Sequence, residues 1–176
     1  MTKSKKRLVS LVLFAMYGAL MFVSKFMMEG LPNIHPLTIF IMTFTVVYGI
    51  KALIPVYIYV FINGIFAGFA AWWIPYLYIW PLQCLITLLI PKNIPDKVAA
   101  VVYPVLCALL GLSFGVMYAP AQAIMFKFSF KQTLAWISSG LVFDVMHLGG
   151  NFVIGLLVLP LSKILKKLHR ASRIPI

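Results

Sequence analysis

The sequence predicts an all-α integral membrane protein, a bundle of six transmembrane helices with both termini in the cytoplasm. Of its 176 residues, 63% are hydrophobic and only 10% are charged, and the mean hydropathy is +1.03. A soluble domain of this length needs more polar surface to cover its core. The apolar residues also form long runs, which Pro- and Gly-bearing breaks and basic residues separate.

A helix that crosses a bilayer needs about 20 mainly apolar residues. Gly30, Pro32 and Pro36 break the chain after the first run, and the turn PKNIPDK ends the fourth. The chain is then a single membrane domain with six spans at approximately 8–28, 37–48, 53–70, 75–90, 98–117 and 134–161. The remaining segments are a loop at 29–36, an amphipathic interfacial segment at 118–133 and a basic cytoplasmic tail at 162–176.

The distribution of Lys and Arg predicts the orientation. With six spans, the side that holds both termini receives twelve of them: four before the first span, five after the last, and Lys51, Lys92 and Lys97. The other side receives only Lys25, Lys127 and Lys131. Basic residues in short loops mark the cytoplasmic side, where anionic lipids favour them. We therefore interpret the net charge of +12 as membrane topology and expect no nucleic-acid partner.

The sixth span carries Asp144, His147 and Asn151, which share one helical face. An ionisable residue at the centre of a membrane helix costs roughly 2.5 to 3.5 kcal/mol on insertion scales, so such residues mark functional sites by default. One hypothesis is that the three side chains bind a ligand. The alternative is that Asp144 and His147 pair with each other and hold a neighbouring helix. Gly149 and Gly150 beside them favour close helix packing.

The fourth span offers a second polar face. Its side chains follow a 3–4–3–4 spacing and so form one seam: Trp73, Tyr76, Trp80, Gln83 and Thr87. An aromatic belt at the membrane interface accounts for Trp73. It does not account for Trp80 and Gln83, two and three turns deeper, and indole, phenol and amide groups suit a flat polar heterocycle.

The loop after the first span gives the third wall of a predicted substrate pocket in the outer half of the membrane. Two interpretations of this loop stay open. It is a gating lid over a bound molecule, or an ordinary solvated loop with a helical Lys25–Glu29 pair. Its polar side chains are Lys25, Glu29, Asn33 and His35, and Tyr118 and Gln122 are placed to close the remaining side.

Catalytic motifs are missing from the sequence. It has no Walker A motif, no HExxH and no GxSxG, and Cys84 and Cys107 have no metal-ligand spacing. Ser139, Asp144 and His147 lie on one helix, which cannot bring them into triad geometry. We therefore expect no enzyme, no metal site and no cofactor in this chain.

The chain resembles the substrate-binding S components of energy-coupling factor (ECF) vitamin transporters. The resemblance rests on six helices with basic cytoplasmic ends, the AMYGA stretch of the first helix, the loop LPNIHPL and the closing segment GNFVIGLLVLPLSKIL. It implies a bacterial plasma-membrane protein that binds a vitamin or related micronutrient at the outer face. A transmembrane coupling subunit and two ABC ATPases would deliver the substrate inward, and those partners would consume the ATP. Ala15 and Ala19 match the small-residue motif through which S components dock onto the coupling subunit.

The resemblance leaves the substrate open. The chain lacks the N-terminal histidine expected of nickel and cobalt members, which disfavours a bare metal ion. A pyrimidine, pyridine, pterin or flavin-like ring fits the polar aromatic residues, and a corrinoid or modified nucleobase stays possible. Two other functions also stay open: a stand-alone proton-coupled carrier that uses Asp144 and His147, and a membrane scaffold without a ligand.

Overall fold

A computed structural model describes residues 3–30 and 36–172 of the chain. These residues form α-helices and two short 3₁₀ turns, at Gly49–Ala52 and Ala71–Trp73, and no β-strand. The helices are α1 (Lys3–Met27), α2 (Leu37–Tyr48), α3 (Leu53–Ala67), α4 (Tyr76–Leu88), α5 (Asp96–Leu112), α6 (Phe114–Phe126), α7 (Phe130–Gly155) and α8 (Val158–Ser172).

The chain is all-helical and carries helices that suit a membrane. By length and composition, the stretches able to cross a bilayer in the described part of the chain are Arg7–Met27, Leu37–Ala67, Asp96–Phe126 and Phe130–Gly155. This confirms the all-α class over the described residues and shows helices that are long and apolar enough to span a membrane.

The second of these stretches is two helices rather than one. Gly49 has φ +60° and ψ −138°, a backbone conformation that ends α2 and that favours glycine. Tyr17 of α1 stacks on Phe44 at 4.5 Å between ring centroids, whereas Phe14, one turn earlier in α1, meets Tyr48, one turn later in α2. Residue numbers that rise along α1 therefore fall along α2, so α2 runs antiparallel to α1.

Helix α3 reverses direction again. Gly18 of α1 lies against Ile58, and Phe22, one turn on, meets Phe66 at 5.3 Å, so α3 runs parallel to α1. Helix α4 then returns along α3: the Trp73 indole N–H, just before α4, donates to the Val60 carbonyl over 2.8 Å, and Tyr57, earlier in α3, donates to the Leu77 carbonyl of α4. The four helices enclose a hydrophobic core in which Tyr59 and Trp80 are almost fully buried.

Helices α5, α6 and α7 form a long antiparallel hairpin. The first two are nearly continuous and are separated only by a bend at Ser113. A Cβ atom added to Gly111 would lie 2.7 Å from the Asn151 amide nitrogen and 2.9 Å from the His147 carbonyl carbon. The close backbone approach at Gly111 requires glycine. Nearer the turn that joins α6 to α7, Tyr118 stacks on Trp136.

Two segments differ from the sequence-based expectation. The interfacial segment expected at 118–133 is helical up to Phe126, and α7 already begins at Phe130, because a Ser129–Gln132 capping box starts that helix. The sixth span, expected to reach 161, ends at Gly155, and the expected tail at 162–176 lies in α8 up to Ser172. Pro160 is tolerated there because it occupies the first turn of α8, where its missing N–H has no intrahelical partner.

One of the two glycines expected to permit close packing does not do so. A Cβ atom on Gly149 would meet no atom within 4 Å, so this residue does not mediate a close helix contact in this chain. Close contacts are found at Gly111 and Gly115 on the facing helices and at Gly155 on α7, whose added Cβ would lie 2.8 Å from the Pro104 Cα.

We predict that Gly111→Ala destabilises the fold and that Gly149→Ala does not. The added methyl at position 111 meets backbone atoms of α7, which cannot move without separating the helices, and overpacking of this kind costs about 1–3 kcal/mol. The methyl at position 149 meets open space and adds up to about 1 kcal/mol of helix propensity. Thermal unfolding of both variants in detergent measures the difference. Equal melting temperatures would contradict the proposed close packing of α5 and α7.

Candidate functional site

Asp144 of α7 faces the bend between α5 and α6. Helix α6 begins at Phe114, so the N–H of Gly115 lies in its first turn, where a helix N–H has no intrahelical partner. The Asp144 Oδ1 atom accepts a hydrogen bond from this N–H over 3.0 Å. A negative group at a helix N-terminus is also favoured by the helix dipole. A Cβ atom on Gly115 would collide with the Asp144 carboxylate, so glycine makes the contact possible.

The other two polar residues of this face have different surroundings. Asp144, His147 and Asn151 are only 4%, 6% and 3% exposed, so the face that they share points into the protein. The Asn151 amide donates to the Thr38 hydroxyl over 3.3 Å and thus joins α7 to α2. The imidazole of His147 lies against the Phe114 ring, with 5.2 Å between ring centroids. Asn151 is therefore a link between helices, while Asp144 and His147 lie beside the bend.

A cleft of about 340 Å³ opens between α6 and α7 beside Asp144 and His147. The Tyr118 and Trp136 rings stack at 5.9 Å on its wall, and the Tyr118 hydroxyl donates to the Trp72 carbonyl over 3.0 Å. The cleft joins charged, amide and aromatic groups in one concave site, as expected for small-molecule binding. Its lining residues are Phe114, Gly115, Tyr118, Gln122, Trp136, Gly140, Phe143, Asp144 and His147.

The structure thus brings Asp144, His147, Tyr118 and Gln122 together. Phe114 and Phe143 also line the cleft but were not predicted from the sequence to do so. Both lie among apolar residues of their helices, so no sequence signal distinguished them from core residues. Only the antiparallel pairing of α6 and α7 places them at the cleft.

The α4 seam does not line the cleft. Trp80, Gln83 and Thr87 are buried in the neighbouring core, and the Trp73 indole N–H is already used in a bond to α3. Tyr76 contacts Trp80 edge-on at 5.2 Å. Trp80 of the seam contacts the cleft residue Phe114, with 5.6 Å between ring centroids. In this structure the seam residues therefore form a second layer behind the cleft.

The sequence analysis also missed a polar group on α3. Tyr59 and Asn63, one helical turn apart, are buried against the seam, where Tyr59 meets Trp80 at 6.3 Å. The Tyr59 hydroxyl, the Asn63 amide nitrogen and the Gln83 amide oxygen have no hydrogen-bond partner among the described residues. Unpaired buried polar atoms are costly. The signal available in the sequence was two polar residues at i, i+4 within an apolar span.

The loop expected to act as a lid is only partly described. Helix α1 ends at Met27, before Glu29, so the helical pair of Lys25 with Glu29 has no helix to hold it, and the described structure records no ion pair between them. Lys25 is half-buried and Glu29 is exposed. Neither residue lines the cleft, and Asn33 and His35 lie outside the described residues.

The expected docking residues lie on the exposed face of α1. Ala15 and Ala19 are exposed, whereas Gly18 between them is buried against α3. The same exposed face carries large apolar side chains, including Leu11, Met16 and Val23.

Comparisons with family models, with curated proteins and with solved structures gave no match to this chain.

We predict that Asp144→Asn is tolerated better than Asp144→Leu. Asparagine keeps an acceptor oxygen for the Gly115 N–H, whereas the nearly isosteric leucine leaves that buried donor unpaired, which costs about 1–3 kcal/mol. Thermal unfolding in detergent should rank the stability as wild type, then Asp144→Asn, then Asp144→Leu. Equal stability of the two variants would mean that the hydrogen bond to Gly115 does not hold the bend.

Proposed function

We propose that this chain is the substrate-binding S component of an ECF-type importer. It captures a vitamin-like heterocycle at the outer face of the bacterial plasma membrane and delivers it inward with a coupling subunit and two ABC ATPases. The observation that carries the proposal is the cleft, in which Asp144 and His147 meet the aromatic rings of Phe114, Tyr118 and Trp136. ATP is consumed by the ATPases, and this chain supplies specificity.

The chemistry of the cleft suits a flat polar ring. Its volume of about 340 Å³ is near the lower end of small-molecule sites, which span about 300–1,000 Å³. The indole of Trp136 and the phenol of Tyr118 offer faces for stacking. Asp144 accepts hydrogen bonds from a ring N–H or amine, and the Gln122 amide both donates and accepts.

A six-pass topology is part of the proposal. Helices α1 and α3 point one way, and α2 and α4 point back. Thr38 of α2 meets the end of α5 through Asn151, which also contacts Gly111. Met42, one turn later in α2, meets Cys107, one turn earlier in α5. The pair α5–α6 therefore points the same way as α1, and α7 points back, which supports six crossings with both termini on one side. With 12 and 13 residues, α2 and α4 are about 18–20 Å long, shorter than the roughly 30 Å hydrocarbon core. Local thinning of the bilayer accommodates such short helices. The excess of Lys and Arg on the side of the termini assigns it to the cytoplasm.

Docking to the coupling subunit is assigned to α1. This helix packs inward mainly on α3 and leaves its other face exposed. Ala15 and Ala19 on that face are small enough for a partner helix to approach closely.

We predict that Ala15→Leu combined with Ala19→Leu abolishes the complex with the coupling subunit and ATPases and leaves the fold intact, because both side chains point away from the core. The measurement is a pull-down of the tagged chain from its native membrane in mild detergent, with the co-eluting proteins identified. The control is Ala67→Leu with Ala100→Leu, the same change at exposed alanines of α3 and α5. A wild-type chain that elutes folded and alone across several detergents would refute the S-component proposal.

We also predict that Trp136→Ala weakens substrate binding by roughly tenfold, since loss of a stacking partner and its buried area removes about 1.4 kcal/mol. The purified chain is first screened with pyrimidine, pyridine, pterin and flavin compounds by thermal shift, and the dissociation constant of the compound that stabilises it is then compared between variants. Phe130→Ala, at an exposed aromatic outside the cleft, is the control. Equal losses in both variants would remove the cleft as the binding site.

The placement of Asp144 and His147 in one cleft also favours the second candidate, a proton-coupled carrier. Such a carrier transports without ATPases. Uptake by the purified chain alone in liposomes, driven by a pH gradient and abolished by Asp144→Asn, would favour the carrier over the importer.

A further inference from the structure

A second cavity, of about 360 Å³, lies near the ends of α2 and α4, away from the cleft. It is formed where α2 and α4 end and where α5 and α8 pass. Its polar lining includes Lys92 and Asn93 from the turn after α4, Tyr103 from α5 and Lys166 from α8. We call this cavity the basic pocket.

The basic pocket is a built site rather than a chance grouping of surface lysines. The ion pair of Lys163 with Asp96 fixes α8 to the first turn of α5, and Tyr48 packs edge-on against His169 at 6.1 Å, which fixes α8 to α2. These two contacts hold Lys166 over the pocket from one side, while the turn after α4 supplies Lys92 from the other.

The lysines of the basic pocket have no acidic side chain in the described lining. Asp96 in the same corner is already paired with Lys163. In the described part of the chain, neither Lys92 nor Lys166 has an acidic partner, and the side chains of Asn93 and Tyr103 make no hydrogen bond to protein. Two ammonium groups, which only donate hydrogen bonds, thus meet an amide and a phenol, which can also donate.

An exposed apolar side chain lies beside the pocket. Leu89 at the end of α4 is 81% exposed, between the lining residues Leu88 and Ile90. A polar, positively charged pocket with an exposed leucine beside it suits an amphiphile, whose headgroup enters the pocket and whose chains lie along the apolar surface.

We propose that the basic pocket binds a phosphate-bearing anionic group, supplied by the headgroup of an anionic lipid such as phosphatidylglycerol. Basic pockets between membrane helices on the cytoplasmic side bind anionic headgroups. The volume exceeds that of a bare ion and leaves room for a glycerol moiety beside the phosphate. This site is separate from the cleft, and its occupancy ties α8 to the turn after α4.

The test is native mass spectrometry of the full chain in detergent, titrated with dihexanoyl-phosphatidylglycerol, dihexanoyl-phosphatidylcholine and sn-glycerol 3-phosphate. We expect preference for phosphatidylglycerol over phosphatidylcholine. Lys92→Gln and Lys166→Gln should each weaken its binding roughly fivefold, and together about 25-fold. The matched control is Lys51→Gln with Lys97→Gln, two exposed lysines near the same end that do not line the pocket; these should change binding less than about twofold.

Comparison of the three ligands distinguishes a lipid headgroup from a soluble source of the phosphate. Binding of the lipid without binding of sn-glycerol 3-phosphate supports the headgroup; equal binding of both, lost together in the double variant, supports the phosphate site with a soluble source. Equal losses in the test and control pairs, or equal binding of phosphatidylcholine, overturn the proposal. Lys92→Gln alone keeps the test valid if the double variant does not fold, because Lys92 is exposed in a turn.

Discussion

The candidate site depends on the close approach of α7 to the bent pair α5–α6. Glycine at positions 111 and 115 allows the backbones to meet, and the bend at Ser113 exposes the N–H that Asp144 binds. A straight helix through residue 113 would use that N–H internally and leave the carboxylate unpaired in an apolar bundle. The bend, the glycines and the aspartate are therefore one arrangement, and the cleft opens beside it.

The three polar residues on this face of α7 have different roles. Asn151 joins α7 to α2 through Thr38, which is a structural role. Asp144 accepts a hydrogen bond from the start of α6 with its Oδ1 atom and also lines the cleft. It therefore has a structural role and is placed to contact a ligand. His147 packs on Phe114 and faces the same cleft. Asp144 and Asn151 therefore each contact a neighbouring helix, and the proposed ligand binding concerns only the part of the face that lines the cleft.

The two cavities lie at separate places in the bundle and have chemically different linings. The cleft is aromatic with one acid and one imidazole, which suits a neutral or cationic ring. The basic pocket carries Lys92 and Lys166 without a carboxylate, which suits an anion. On the proposed topology, the cleft faces the outer half of the membrane and the basic pocket faces the cytoplasmic leaflet. In the proposed importer, the exposed side of α1 is the surface that meets the partner.

The sequence by itself determined the class of protein and the faces of its helices. Composition predicted helices long and apolar enough to span a membrane. The predicted limits 37–48 coincide with those of α2. The spacing of Asp144, His147 and Asn151 placed the three residues on one face, which points into the protein. Only the tertiary structure decided which helices those faces meet. It placed the α4 seam behind the cleft rather than in it, and it extended helical structure into 118–133. Periodicity fixes the direction in which a side chain leaves its own helix, but the partner depends on bends and glycine contacts between segments distant in the chain.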